Sequence, residues 1–169
     1  MTKLEQIKAA EARLLLQTYE RNPILFVGGK GVHLIDEKGE RYLDLLSGIG
    51  VNALGYGHPA IERAIINQGR ATYAKLCAPC HRADGGGLVG PNLTDDYWIH
   101  GSKYSDTVKV IWNGVPAKGM ITWKASLKPD DIAAVASYIY TLRGAKLATP
   151  GKPPESQAPA KPAGPSAFE

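Results

Sequence analysis

Cys77-Ala78-Pro79-Cys80-His81 is the stretch that decides the reading of this 169-residue chain. It holds both cysteines of the sequence, and a histidine follows the second directly. C-x-x-C-H is the attachment pattern of a c-type haem. Two thiols at that spacing on a helix end can each bond one vinyl group, and the adjacent imidazole then lies on one side of the iron. The pattern implies a covalently held redox cofactor, hence electron transfer rather than bond-making catalysis. Three other chemistries use paired cysteines. A thioredoxin-like site needs a strand–turn–helix setting, and no βαβ pattern surrounds the motif. A zinc site needs a fourth ligand that no second cysteine pair supplies. A disulfide across two residues would be strained.

A haem iron that transfers electrons commonly takes a second axial ligand, and Met opposite His raises the potential. Only Met1 and Met120 are available. Met120 lies in Val115-Pro116-Ala117-Lys118-Gly119-Met120-Ile121-Thr122-Trp123, a Gly/Pro-containing loop that can present a thioether to a metal. A lone Met is often a core gap-filler, but Lys118 and Gly119 beside it do not read as core. His100 is the other candidate donor, although a surface histidine fits it better.

Around this motif, residues 68–147 read as several short helices. Gly69, Tyr73, Leu76, Cys77 and Cys80 recur at three and four residues, one helical face, with Gly69 small enough to admit a second helix closely. Residues 82–94, with Gly85, Gly86, Gly87 and Gly90, read as loop. Ser105 can cap a helix carrying Tyr104, Val108, Ile111 and Trp112, ended by Asn113-Gly114. The clearest helix opens at Pro129 with Asp130 and Asp131 in its first turn. Its apolar stripe is Ile132, Val135, Ala136, Ile139 and Leu142, with Tyr138 beside it and Gly144 as the stop. About 80 residues make a small core that needs a staple, and a flat apolar haem would serve. Trp98, Trp112 and Trp123 all fall here; their N–H groups want acceptors, which haem propionates could supply, or they are core filler.

Residues 69–144 resemble the class I cytochrome c family. More narrowly, they look like the C-terminal cytochrome domain of the dihaem subunit of cbb3-type oxidases. The likeness rests on the cysteine motif, on Gly90-Pro91-Asn92-Leu93-Thr94-Asp95-Asp96-Tyr97-Trp98, on Gly119-Met120 with Trp123, and on Ala136-Ser137-Tyr138-Ile139-Tyr140-Thr141-Leu142. The resemblance implies a mainly α class I cytochrome c fold around one haem. It makes Cys77 and Cys80 the thioether anchors, His81 the proximal ligand and Met120 the distal one. Pro91 would be the carbonyl that fixes the histidine ring, and Trp123 would join the cofactor pocket. The chain departs from the family at Ile121, where Pro often follows the Met, and at His100, where an aromatic residue is common. The oxidase subunit also carries a second haem motif and a membrane anchor, and neither is present here.

Residues 1–67 differ in character. A helix pattern runs over 4–19. Gly28-Gly29-Lys30-Gly31 turns into a short strand over 32–36; 37–40 reads as a hairpin turn and 41–46 as the return strand. From Pro59 another helix begins. Residues 36–46, Ser47-Gly48-Ile49-Gly50-Val51-Asn52-Ala53-Leu54-Gly55 and Gly57-His58-Pro59-Ala60 resemble the N-terminus of class III pyridoxal-phosphate aminotransferases, acetylornithine aminotransferase in particular. That family's Schiff-base lysine and cofactor core lie far downstream, and no lysine here has a matching context. This half therefore reads as a catalytically incomplete aminotransferase fragment with a small α+β fold. It is joined near residues 66–69 to a cytochrome with which it shares no evident process.

Charge divides the same way. Residues 1–67 carry eight basic and eight acidic side chains, and 68–169 carry twelve and eight, the whole formal +4. Lys103, Lys109, Lys118, Lys124 and Lys128 cluster around the Met loop, where they can steer an acidic redox partner such as an oxidase subunit. The modest charge gives no support for nucleic-acid binding. Residues 148–169 hold six of the twelve prolines and read as a disordered tail. No stretch is apolar for long enough to span a bilayer, and no signal-like segment opens the chain. The haem motif argues for the periplasm; the N-terminal stretch argues for the cytoplasm.

Overall fold

A computed structural model describes residues 2–16 and 22–155 of the chain. It divides into two compact units, Met1–His58 and Pro59–Glu169. The expected tail beyond residue 155 and the end of the expected helix over 17–19 lie outside the described residues. No helix among the described residues is long and apolar enough to cross a membrane.

The first unit opens with α1 (Lys3–Leu14), closed at its start by a capping box in which Thr2 and Glu5 exchange hydrogen bonds. Three antiparallel strands follow in the order β1 (Phe26–Lys30), β2 (His33–Asp36) and β3 (Arg41–Leu43). The hairpin expected between 32 and 46 forms, with a shorter return strand, pairing His33 with Leu43 and Ile35 with Arg41. Its turn is organised by Asp36, whose Oδ1 accepts the N–H groups of Lys38 (2.9 Å) and Glu40 (2.8 Å), while the Tyr42 hydroxyl donates to Oδ2 (3.2 Å). Strand β1 occupies the Gly-rich stretch that the sequence suggests as a turn. Gly29 is required there for packing, since a Cβ would lie 2.6 Å from the Tyr56 ring. A left-handed turn, α2 (Ser47–Gly50), follows, with Ser47 at φ 49° and Ile49 at φ 65°. A β-branched residue in that region is strained.

Burial tends to raise the Asp36 pKa, but the Glu40 and Lys38 amides, the Tyr42 hydroxyl and the Lys38 charge together bring it below the usual carboxylate value. A carboxylate depressed in the folded state stabilises above its unfolded pKa, and that contribution is lost as pH falls through the folded value. The hairpin should hold at neutral pH and loosen only in acid. Amide shifts of Lys38 and Glu40 followed by NMR should titrate together below the ordinary carboxylate range; independent titration, or a common midpoint at or above that range, would contradict this network.

The second unit is helical: α3 (Pro59–Leu76), α4 (Ala78–His81), α5 (Tyr104–Asn113), the 3-10 turn η1 (Pro116–Lys118) and α6 (Pro129–Thr141). Helix α3 runs without a break through the join expected at 66–69. It packs along α6 because Gly69 has no side chain: a Cβ there would lie 2.0 Å from the Ala134 carbonyl oxygen. Below this crossing, Tyr73 (1% exposed) meets the Tyr138 ring edge-on at 5.2 Å. The stripe Ile132, Val135, Ala136, Ile139 and Leu142 is buried as its spacing requires. Helix α5 lays Ile111 on the same core, and its Tyr104 hydroxyl donates to the Ala133 carbonyl (2.9 Å). Its N-cap is Lys103 rather than Ser105, closed by the Asp106 carboxylate accepting the Lys103 N–H (3.2 Å). The helix ends at Gly114, φ 68°.

Candidate functional site

The motif Cys77-Ala78-Pro79-Cys80-His81 is one helical turn laid directly on the end of α3. The Cys77 N–H donates to the Tyr73 carbonyl (2.9 Å), and the Cys80 and His81 N–H groups donate to the Cys77 carbonyl (3.1 and 2.9 Å). Pro79 fits because the first turn of a helix needs no N–H from it. Tyr73, fixed in the core, donates its hydroxyl to the Arg82 carbonyl (2.9 Å) and so ties the motif's far end to the helix crossing. Burial holds the Tyr73 phenol well above its ordinary pKa, so it remains a donor.

The Gly-rich loop then folds back over the motif. Gly87 N–H donates to the His81 carbonyl (3.0 Å), Gly90 N–H to the Cys80 carbonyl (2.9 Å) and Leu93 N–H to the Gly85 carbonyl (2.8 Å). Gly90 lies against the imidazole: a Cβ would fall 2.5 Å from Cε1 and 2.8 Å from both ring nitrogens. The composition of the run marks it only as loop; the need for glycine at 90 comes from this approach.

His81 is 9% exposed, and its Nδ1 is 2.9 Å from the Pro91 carbonyl oxygen. A carbonyl can only accept, so Nδ1 carries the proton and Nε2 presents a lone pair. Burial lowers the imidazole pKa; the Pro91 bond opposes this, and the Lys152 charge adds to the lowering. The ring is therefore neutral and ligand-competent at neutral pH.

Both cysteines are unpaired, Cys77 half-buried and Cys80 exposed. Burial, then the neighbouring Cys80, pushes the Cys77 thiol up to about 11. A thiol so rarely ionised is a poor nucleophile for thiol–disulfide exchange, which uses the thiolate. Among the described residues, no group of three or more His, Cys, Asp or Glu is arranged to hold a metal ion.

Met120 stands in a loop pinned by reciprocal bonds with Val115: Val115 N–H to the Met120 carbonyl (2.8 Å) and Met120 N–H to the Val115 carbonyl (3.2 Å). Gly114 lets the two limbs close, since a Cβ there would lie 2.5 Å from the Ile121 backbone. Cys77, Leu93, Met120, Trp123 and Leu127 all border the one buried cluster of this unit while staying partly exposed. The two thiols lie on the turn that follows α3, and the Pro91 contact uses only Nδ1 of the His81 ring. These residues fit a flat, apolar, iron-bearing macrocycle.

The other expected residues are placed as follows. Pro91 offers its carbonyl to His81. Trp123 borders the core, with its N–H backbone group on the Ile111 carbonyl (3.3 Å). His100 is exposed and lines an open cleft with Asp106 and Lys109. The Trp98 indole donates to the Asp95 carbonyl (3.0 Å), so that N–H is already used within the chain, and its ring lies under the Arg143 guanidinium at 4.0 Å.

Comparison with known proteins finds two families along the chain, with matches that overlap over residues 64–81. Residues 64–139 match the family described as cytochrome c oxidase, cbb3-type, subunit III, and residues 16–81 match class-III aminotransferases. The cbb3-type cytochrome c oxidase subunit FixP of Azorhizobium caulinodans is 35% identical over 98 residues, covering 53% of this chain and 32% of FixP. The acetylornithine aminotransferase of Aquifex aeolicus is 52% identical over 54 residues, covering 32% of this chain and 14% of that enzyme. The chain thus spans about a third of one relative and a seventh of the other. Among solved structures, cytochrome cL from Hyphomicrobium denitrificans superposes with a TM-score of 0.44 at 26% identity, over 48% of this chain and 49% of that one. Residues 64–139 are thus similar to cbb3-type oxidase subunit III, and residues 16–81 to the start of class-III aminotransferases.

Proposed function

We propose that the helical unit is a monohaem electron carrier, with haem c bonded through Cys77 and Cys80 and its iron held by His81 and Met120. The observation that carries this reading is the His81 Nδ1–Pro91 contact at 2.9 Å, which leaves the other ring nitrogen a lone pair that can ligate a metal, while the two thiols stand free on the same turn. When bound, haem supplies a one-electron couple. The chain's own residues do the rest. Pro91 and Gly90 hold the imidazole in one orientation; Val115 and Gly114 hold the Met120 loop; the α3–α6 crossing keeps the motif rigid. Small reorganisation on electron transfer would follow from these restraints, and ligation by the Met120 thioether together with the His81 imidazole would favour the reduced form.

Lys103, Lys109, Lys118, Lys124 and Lys128 are all exposed, on the segments that carry or flank the Met loop. They suit docking to an acidic redox protein, with an oxidase of the cbb3 type as the leading partner on the strength of the FixP similarity. The matching compartment is outside the cytoplasmic membrane, where haem is attached in the resembled family. The aminotransferase-like unit contributes no catalysis in this reading.

Met120→Ala tests the ligand assignment. In protein co-expressed with cytochrome c maturation factors, the substitution should convert low-spin iron to high-spin and lower the reduction potential, while covalent haem is retained. The absorption spectrum and a redox titration check both. An unchanged low-spin spectrum would remove Met120 from the iron and pass the role to another donor such as His100.

A further inference from the structure

The segment after α6 does not leave the domain at once. Residues 148–155 have no regular secondary structure, yet they lie along the loop that carries the His81 contact. Lys152 donates its backbone N–H to the Gly86 carbonyl (2.7 Å) and its ammonium to the Val89 carbonyl (3.1 Å), and it pairs with Glu155. Arg82, the residue after the histidine, donates to the Pro150 carbonyl (2.9 Å), to the Thr149 hydroxyl and to the Asp84 carboxylate (2.6 Å). It does so from a positive φ of 65°, a conformation costly for a non-glycine residue. Asp84 in turn accepts the Gly86 N–H (3.0 Å). The fit is close: a Cβ at Gly151 would lie 2.4 Å from Asn92 Nδ2, and one at Gly87 would lie 2.7 Å from the Asn92 backbone nitrogen and 3.0 Å from Lys152 Cβ.

We propose that residues 147–155 are a strap that fastens the 82–92 loop, and through it the Pro91 carbonyl, onto His81. Arg82, Gly151 and Lys152 are then positioning residues for the proximal ligand. The inference rests on His81 being that ligand, and it adds a part for chain that the composition marks only as tail. Gly86 and Val89 are the points at which the strap grips the loop. Gly87 between them and Gly90 just after them send their N–H groups back onto the motif, and Pro91 follows directly. A Cβ at Gly151 meets the Asn92 amide, itself bonded to Thr94, and comes within 3.1 Å of the Gly86 carbonyl oxygen, so a branched side chain there crowds the strap against the loop; proline at 152 removes the N–H given to Gly86. Neither change touches the α3–α6 core.

The test is hydrogen exchange read by mass spectrometry on full-length, haem-matured protein, comparing Gly151→Val, Lys152→Pro and Lys128→Met. Both strap variants should speed exchange over residues 85–92 by about tenfold or more, the loss of one or two hydrogen bonds' worth of local protection. They should also shift the hyperfine-shifted proton signals of the His81 ring in oxidised protein. Lys128→Met, which removes an equivalent charge elsewhere, should do neither. Unchanged exchange over 85–92 in both strap variants overturns the proposal. The same spectra report whether the 77–81 peptide carries haem, so failure of the haem assignment is read separately from failure of the strap.

Discussion

Replacing His81 by glycine is expected to abolish the six-coordinate low-spin spectrum of the matured protein, and added imidazole should restore it. The effect should be complete because the fold holds this ring in place on several sides. His81 is nearly buried, its Nδ1 proton is committed to Pro91, and Gly90 closes the space beside the ring. Free imidazole can enter the cavity so created but lacks the chain's restraint, so the restored form should have a weaker and concentration-dependent sixth or fifth bond. Optical titration with imidazole checks this. A low-spin spectrum in His81→Gly without imidazole would mean that another residue holds the iron.

The second large effect is expected at Gly69, far from the iron. Alanine in place of an exposed helical glycine normally stabilises by about 1 kcal/mol. At Gly69 the sign should reverse. The new methyl would lie 2.0 Å from the Ala134 carbonyl oxygen and 3.0 Å from Tyr138 Cβ. The first of these is helix backbone, which cannot rotate away as a side-chain tip can. Overpacking of this kind costs about 1–3 kcal/mol, a large share of the stability of a small domain at about 5–15 kcal/mol. Gly69→Ala should lower the urea midpoint clearly, and Gly69→Leu should eliminate cooperative unfolding of the helical unit. A midpoint equal to or above that of the unaltered protein would show that α3 and α6 do not cross here.

What the sequence reveals follows from how local each signal is. The C-x-x-C-H turn, the α6 stripe and the small residue at 69 are visible because each is set by spacing along one helix, and the structure buries that stripe and uses that glycine as the spacing requires. The Asp36–Glu40 turn is equally local, with a short side chain accepting the amides two and four residues on. Strand β1 is not legible, because two glycines in a row suggest a turn; only Tyr56, some 27 positions later, explains Gly29. The α5 cap shifts from Ser105 to Lys103 because the Asp106 carboxylate reaches back to close the turn, a choice that propensity alone leaves open. The contacts of 148–155 are hidden for a related reason. Proline and lysine there suggest a free tail, and their partners, the Arg82 guanidinium that donates to the Pro150 carbonyl and the Val89 carbonyl that accepts from Lys152, lie more than sixty residues earlier.

In the site itself, the residue types announce the chemistry and the structure supplies its supports. Gly90 against the ring, Tyr73 on the Arg82 carbonyl and the Val115–Met120 exchange all involve backbone groups, which carry no sequence signature. The aminotransferase-like unit shows the complementary case. Its Leu45, Leu46, Ile49 and Val51 are largely exposed, as expected of a piece that spans a seventh of the relative it resembles.

The central claim is that two thioether bonds fasten one haem to Cys77 and Cys80. Intact-mass spectrometry of the chain purified after co-expression with maturation factors, before and after acid–acetone extraction, tests it most directly. One haem's mass should remain on the polypeptide through extraction and should vanish in the Cys77→Ala/Cys80→Ala double variant. A bare polypeptide mass in the matured, unaltered chain, or colour that leaves entirely with the solvent, would contradict the account.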